Sequence, residues 1–342
     1  MRVPRLRLRR RIADLLERAG VAGPVLRARP DTPWLTVLTY HRVRDAIDDR
    51  FDDGVTDATG AELDAHVGAL ARDFTFVGID DLLRWIAGAP LPKSPLLITF
   101  DDGYRECVDV ALPILQRHGA RAVFFLATHY VEQRRVFWWD RAAFLVKNAA
   151  VSRARLREPA ALDLDLADGR EASLRAVLRV IKDRPGLDLE RFLEALADAC
   201  RVSWSSARER SFADELVMTW SDARALVAAG MDVQSHTRTH RVLQTVPDAE
   251  LASELEGSRL DLERALGVPI RALAYPTGRP IRDRPAIEAA VRAAGYRLAF
   301  VNDGGVTLRW PRANPLGLRR IPMRQGLSSA RLQALVALPF LA

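Results

Sequence analysis

The chain has 342 residues, 49% of them apolar and 28% charged, which supports a sizeable core and excludes a wholly disordered protein. Cys107 and Cys200 are too few for a disulfide framework or a cysteine-based zinc site. The net charge of +7 lies entirely within residues 1–30, where nine arginines face only Asp14 and Glu17, so the remainder is charge-balanced and argues against nucleic acid as a partner.

Within residues 1–30, Leu8, Ile12, Leu15, Leu16 and Ala19 recur at helical spacing between arginines, the pattern of a basic amphipathic helix. Two placements are favoured for this arm, with nucleic-acid binding a less favoured third. It can dock on the body with its charges solvated, or lie on an anionic membrane surface, where each basic residue contributes about 1 kcal/mol. The start is positive, but the stretch from Ala19 to Leu26 is broken by Gly20, Gly23 and Pro24, so no export signal is expected. No segment approaches the roughly 18 apolar residues of a spanning helix. These features point to a cytoplasmic protein with a peripheral membrane contact open.

From Trp34 onward, strand and helix signals alternate. Trp34–Tyr40 is β-branched and apolar and predicts a buried strand. Ala61–Phe74 and Ile79–Ala87 predict helices. The near-continuous apolar run Pro95–Asp101 predicts a parallel strand covered on both faces. A helix over Cys107–His118 and a strand over Ala120–Ala127 follow. Residues 140–215, rich in Arg, Leu, Ala and acids, read as helices with no clear strand. Thr219-x-x-Asp222 is a capping-box signature for a helix over Asp222–Ala229. The remaining strands are expected at Met231–Ser235, Ala272–Tyr275, Tyr296–Val301 and Leu318–Met323, with helices at Pro247–Leu266 and Pro285–Ala294. Seven strands with helical crossovers predict a parallel α/β sheet able to close into a barrel. The organisation expected is an arm over 1–30, a barrel over 31–330 with a helical insertion near 140–215, and an apolar tail over 331–342.

In α/β folds function sits beyond the carboxyl ends of strands. There the chain places Thr39-Tyr40-His41, Thr99-Phe100-Asp101-Asp102-Gly103-Tyr104, Ser235-His236-Thr237-Arg238-Thr239-His240 and Tyr275-Pro276-Thr277-Gly278. Adjacent carboxylates at the end of an apolar strand are costly unless paired or bound to a cation. Two histidines four residues apart can reach one metal. Two His and one Asp leave an open position and suit Zn²⁺, while Co²⁺, Ni²⁺ and Fe²⁺ are also accepted. The spare carboxylate can serve as general base, so a metal-assisted hydrolase is expected.

The segments Thr99–Tyr104 and His236–His240 resemble the TFDDG and H-[ST]-x-x-H motifs of the polysaccharide deacetylases, carbohydrate esterase family 4, also called the NodB homology family. Leu38–Val43 and Ala272–Gly278 are similar to one bacterial branch of it. The resemblance spans about Trp34 to Met323. It implies a distorted (β/α)7 barrel and removal of acetyl groups from an N-acetylhexosamine-containing polysaccharide or glycolipid precursor. It makes Asp101 the general base, Asp102, His236 and His240 the metal ligands, and the Thr277 N–H an oxyanion donor.

Three positions depart from the family pattern. Ala274 stands where many members have an arginine that pairs with the base. Thr277 stands where they have a tyrosine. The late strand Leu318-Arg319-Arg320-Ile321-Pro322 lacks the usual histidine acid, and no histidine follows His240. His41 is then the candidate acid, with a structural role as its alternative. Tyr104, Tyr275 and Trp139 are candidate sugar-binding aromatics, and Trp310 a weaker one; for the Phe137–Asp140 stretch a buried hinge is the competing reading. Deacylation of an O-acetyl ester, a formamide or a cyclic amide, and a non-catalytic carbohydrate-binding barrel, stay open as alternatives.

Overall fold

The computed structural model describes residues 34–45, 48–281, 283–308 and 313–337. The basic arm, Trp310 and residues 338–342 lie outside them.

The core is a parallel barrel of short strands: β1 (Trp34–Tyr40), β2 (Pro95–Phe100), β3 (Ala122–Leu126), β4 (Asp232–Ser235), β5 (Ala272–Ala274), β6 (Leu298–Val301), β7 (Leu318–Arg319) and β8 (Ile321–Pro322). Each pairs with the next in space: Thr36 with Leu96, Ile98 with Ala122, Val123 with Asp232, Ser235 with Leu273, Ala272 with Leu298 and Phe300 with Leu318. Closure comes at the end of the chain. The late strand expected over Leu318–Met323 is two pieces on either side of Arg320. β7 pairs with β6, and β8 pairs in parallel with β1 through Leu38 and Ile321.

Strand pleating sorts the side chains. Leu35, Val37, Leu97, Val123, Phe125, Ala272, Ala274, Leu298, Phe300 and Leu318 fill the barrel interior, and the helix Ile79–Ile86 packs into the same cluster through Ile79, Leu82 and Trp85. The alternate residues Leu38, Tyr40, Leu96, Ile98, Phe100, Phe124 and Leu126 face the outer layer under the crossover helices. Extending the inward parity past the strand ends brings His41, Asp101, His236 and Arg320 to the mouth of the barrel.

Between β3 and β4 lie helices Trp138–Lys147, Arg170–Asp183, Leu189–Cys200 and Ser206–Leu216. The expectation of no strand here is corrected. Arg153–Leu156 and Leu162–Asp165 form an antiparallel hairpin whose Ala154, Leu156 and Leu164 are buried while their neighbours are exposed. That period of two spans only four residues per strand, too short to stand out in an Arg- and Leu-rich stretch. The apolar tail also gains structure, because Ser329–Ala337 is a helix packed on Gly60–Ala71. The capping box expected at Thr219 and Asp222 folds as such, and the structure adds a second one between Thr59 and Glu62. No helix among the described residues is long and apolar enough to cross a membrane.

Candidate metal centre and active site

Two of the mouth-facing loops converge on one cluster. Asp102, His236 and His240, all buried, offer ligand atoms that lie within 4.8 Å of one another. The Asp102 Oδ1 is 3.4 Å from His236 Nε2 and 3.3 Å from His240 Nε2. Pleating alone would turn Asp102 away from the interior occupied by Asp101. A φ of 74° at Asp102 turns the chain there, and Gly103, at φ 101°, completes the turn. Thr237 and His240 also carry positive φ, a conformation that costs an L residue about 1–2 kcal/mol and concentrates where geometry is imposed by function.

The donor set fits a divalent ion. His236 Nδ1 is 2.8 Å from the Ala274 carbonyl, which fixes Nδ1–H as the donor and leaves Nε2 as a lone pair. Asp102 Oδ1 is buried without a hydrogen-bond partner among the described residues, a costly state that a cation relieves. Burial, followed by the neighbouring His236, pulls His240 down to about 3, so its imidazole is neutral and able to ligate. One carboxylate and two imidazoles make an O,N,N set of the kind zinc, cobalt, nickel and ferrous iron accept.

Asp101 sits beside this set and is held by an arginine. Its carboxylate takes a two-pronged pair from Arg320, Nη1 to Oδ1 at 2.8 Å and Nη2 to Oδ2 at 2.7 Å. Arg320 is itself fully buried, with Nε donating to Asn302 Oδ1 at 2.8 Å and Nη1 3.3 Å from Thr99 Oγ1. Burial disfavours the charge on Asp101, but Arg320 and then His236 overcome it and hold the carboxyl at about 2. Asp101 therefore has an arginine partner although Ala274 supplies none. It comes from the closing strand, in the segment where a histidine was sought. The signal was Leu318 and Arg320 sharing one strand face at its carboxyl end, a cation on an otherwise apolar side.

His41 reaches the same mouth, with Nε2 3.9 Å from Asp101 Oδ2. Its Nδ1 is 2.8 Å from Asp57 Oδ2, and the same oxygen accepts the His41 backbone N–H at 2.6 Å. Burial lowers the His41 pKa, but Asp57, then Asp102 and Asp101, outweigh it and raise the group to about 9. Asp57, on the short strand Thr56–Ala58, had no motif to mark it.

Thr277 has φ 59° in the turn Pro276–Gly278, and its hydroxyl is buried without a partner among the described residues. Gly278, at φ 64°, lies so close to Asn302 that a Cβ would come within 2.3 Å of that side chain. The Gly278 carbonyl accepts from Asn302 N–H at 2.9 Å, so one asparagine braces both this turn and Arg320.

The aromatic candidates are at this end of the barrel but turned into the protein. Tyr104, Trp139 and Tyr275 are each at most 3% exposed. The Tyr275 hydroxyl donates to the Leu316 carbonyl at 3.0 Å. Trp139 Nε1 donates to the Tyr104 oxygen, and its ring packs on His240 at 4.5 Å. As placed, none presents an open face on which a sugar could stack. Of the other histidines, His66 contacts the Tyr40 hydroxyl and His118 pairs with Asp64, both away from the metal cluster.

Comparison with known proteins bears on the family and the fold. The polysaccharide deacetylase family model matches residues 88–163 and 190–299, more than half of the chain. The fold is similar to that of the Streptococcus pyogenes deacetylase PplD in complex with acetate, at 17% identity and a TM-score of 0.58, over 88% of this chain and 97% of that one. It is also similar to IcaB from Ammonifex degensii, at 17% identity and a TM-score of 0.56, over 90% and 98%. The deacetylase domain of BpsB from Bordetella bronchiseptica aligns at 17% identity and a TM-score of 0.52, over 87% and 98%. No curated protein sequence matches. Family match, barrel and motif positions together place the chain in the polysaccharide deacetylase family, carbohydrate esterase family 4, whose members are hydrolases.

Proposed function

We propose that this protein is a metal-dependent N-deacetylase of an N-acetylhexosamine-containing polysaccharide or glycolipid precursor. The observation that carries the reading is the pairing of two oppositely partnered groups at one mouth beside the Asp102, His236 and His240 cluster: Asp101 bridged by Arg320 at 2.8 and 2.7 Å, and His41 held by Asp57 at 2.8 Å. Asp102, His236 and His240 hold the divalent ion, with zinc the best fit. When bound, that ion supplies Lewis-acid polarisation of the acetyl carbonyl and activation of water.

The chain's own groups do the rest. Asp101 Oδ2, free of any metal role, accepts the proton of the attacking water, and Arg320 keeps it anionic and oriented. The Thr277 N–H, presented by the left-handed turn that Gly278 and Asn302 brace, donates to the developing oxyanion. His41 Nε2–H protonates the departing amine. An amine is a poor leaving group unless protonated, so a histidine with a raised pKa suits an amide better than an ester. This favours N-acetyl over O-acetyl substrates. Burial of Asp101, Asp102, His236 and Arg320 keeps their electrostatic interactions in a low-dielectric mouth, where each is strengthened.

Acetate release from N-acetylated, O-acetylated and formylated glycans, polymeric and lipid-linked, tests the assignment. Acetate from the N-acetylated members, lost in Asp101→Asn, is the expected result. Turnover confined to esters or formamides would replace the substrate assignment. No turnover with binding retained would identify a carbohydrate-binding barrel.

A further inference from the structure

We infer that Tyr104, Trp139 and Asp140 form a buried relay that positions the metal ligand His240, so that the first helix of the insertion is part of the metal centre. The inference rests on the metal-site reading above and concerns residues that no step of the proposed chemistry uses.

His240 needs such support. It lies in a segment without helix or strand, at φ 55°. Its partner ligand His236 is oriented by a hydrogen bond from Nδ1 to a backbone carbonyl. His240 has no equivalent, because its Nδ1 is buried without a hydrogen-bond partner among the described residues. Its ring direction is set by packing instead. Trp139 lies against it at 4.5 Å between ring centres with an interplanar angle of 55°, and Trp138 Nε1 donates to the His240 carbonyl at 3.2 Å.

Trp139 is in turn held by a directional chain. Its Nε1–H donates to the Tyr104 oxygen at 2.6 Å. An indole nitrogen only donates, so the Tyr104 hydroxyl accepts there and sends its own proton to Asp140 Oδ2, 2.7 Å away. The other Asp140 oxygen accepts the Asp52 backbone N–H at 2.9 Å. Phe137 stacks on the far side of Trp139 at 4.8 Å and 7°, and the Arg42 guanidinium lies 4.5 Å over the Tyr104 ring. Tyr104, Trp139 and Asp140 are all essentially buried. Tyr104 also follows Asp102 by two positions in the turn that carries it. The relay thus spans two of the three ligands and ties the Asp102 turn to the His240 loop. Outer-shell groups of this kind commonly change metal affinity about 10- to 100-fold when removed.

Tyr104→Phe is the direct test, since it keeps the ring and removes only the hydroxyl. Zinc affinity by competition titration and the visible d–d spectrum of the cobalt-loaded protein are read alongside the melting temperature of the metal-free protein. The expected result is zinc affinity weaker by about 10-fold or more and an altered cobalt spectrum. Trp139→Phe, which keeps an aromatic ring on His240 but removes the donor, should show the same pair of changes. It carries the test should Tyr104→Phe not fold. Unchanged zinc affinity and cobalt spectrum in the folded variant, with only the melting temperature lowered, would reduce the trio to core packing and overturn the proposal. A wild-type protein that binds neither ion, like a His240→Ala control, would instead overturn the metal-site reading and the relay with it.

Discussion

At the scale of single residues, the site is a set of charges whose partners decide their roles. Arg320 is the sharpest case, being fully buried with its two η nitrogens on Asp101. Replacing it with Met leaves an unpaired buried carboxylate, which costs about 3–5 kcal/mol by denaturant unfolding. The same change removes the force that lowers the Asp101 pKa, so burial raises it. An acid limb of the kcat/KM profile set by Asp101 should then move up in pH. An acid limb that stays in place would show that Arg320 does not tune the base. His41 works with the opposite sign. As the proposed acid it would act only while protonated, so kcat/KM should fall as pH rises through about 9. Asp57→Asn removes the largest charge that raises the group, and the basic limb should move toward the ordinary histidine range near 6.5. His41→Ala should retain metal and lose turnover by about 10²–10⁴-fold. Full turnover in that variant would return His41 to a structural role.

At the scale of elements, the loops after the strands are shaped by backbone turns more than by secondary structure. The Pro276–Gly278 turn depends on Gly278, where a Cβ would meet both the side chain and the backbone nitrogen of Asn302. Gly278→Ala should therefore cost about 1–3 kcal/mol and lower kcat more than it raises KM, because the oxyanion donor Thr277 shifts. Equal stability and kcat would detach that turn from catalysis.

The same scale shows what the sequence made legible. Strands such as Trp34–Tyr40 and Pro95–Phe100 were readable because both faces are buried and their apolar runs are continuous. The motif pair Asp101-Asp102 and His236/His240 was readable because each sits at a strand end. Arg320 is legible only as a cation on the apolar face of Leu318 at a strand's carboxyl end; nothing in Leu-Arg-Arg-Ile-Pro names its partner, a carboxylate over two hundred residues earlier. Asp57 was missed for the same reason. Tyr104 and Trp139 are sugar-binding candidates by residue type, with a buried hinge the competing reading for Trp139, and their burial and mutual hydrogen bond fit the buried reading.

At the scale of the whole molecule, the closing pair of strands around Arg320 joins the last part of the barrel to the first and delivers the partner of the base at the junction. The same short segment thus carries both the barrel's closing pairings and the arginine paired with Asp101. The charge balance of residues 31–342 leaves the basic arm as the carrier of the net +7. If that arm holds the enzyme at an anionic membrane, deleting residues 1–30 should abolish sedimentation with anionic vesicles and spare acetate release from soluble substrate. Unchanged sedimentation would leave the arm with a docking role on the body.

The central claim, a divalent ion held by Asp102, His236 and His240 and used to remove N-acetyl groups, is tested most directly by measuring metal content and acetate release together in the parent protein and in Asp102→Ala. The account predicts bound zinc and acetate release from an N-acetylated glycan in the parent, restored by zinc after chelation, with both lost in the variant. Acetate release that survives in the metal-free protein or in Asp102→Ala would contradict it.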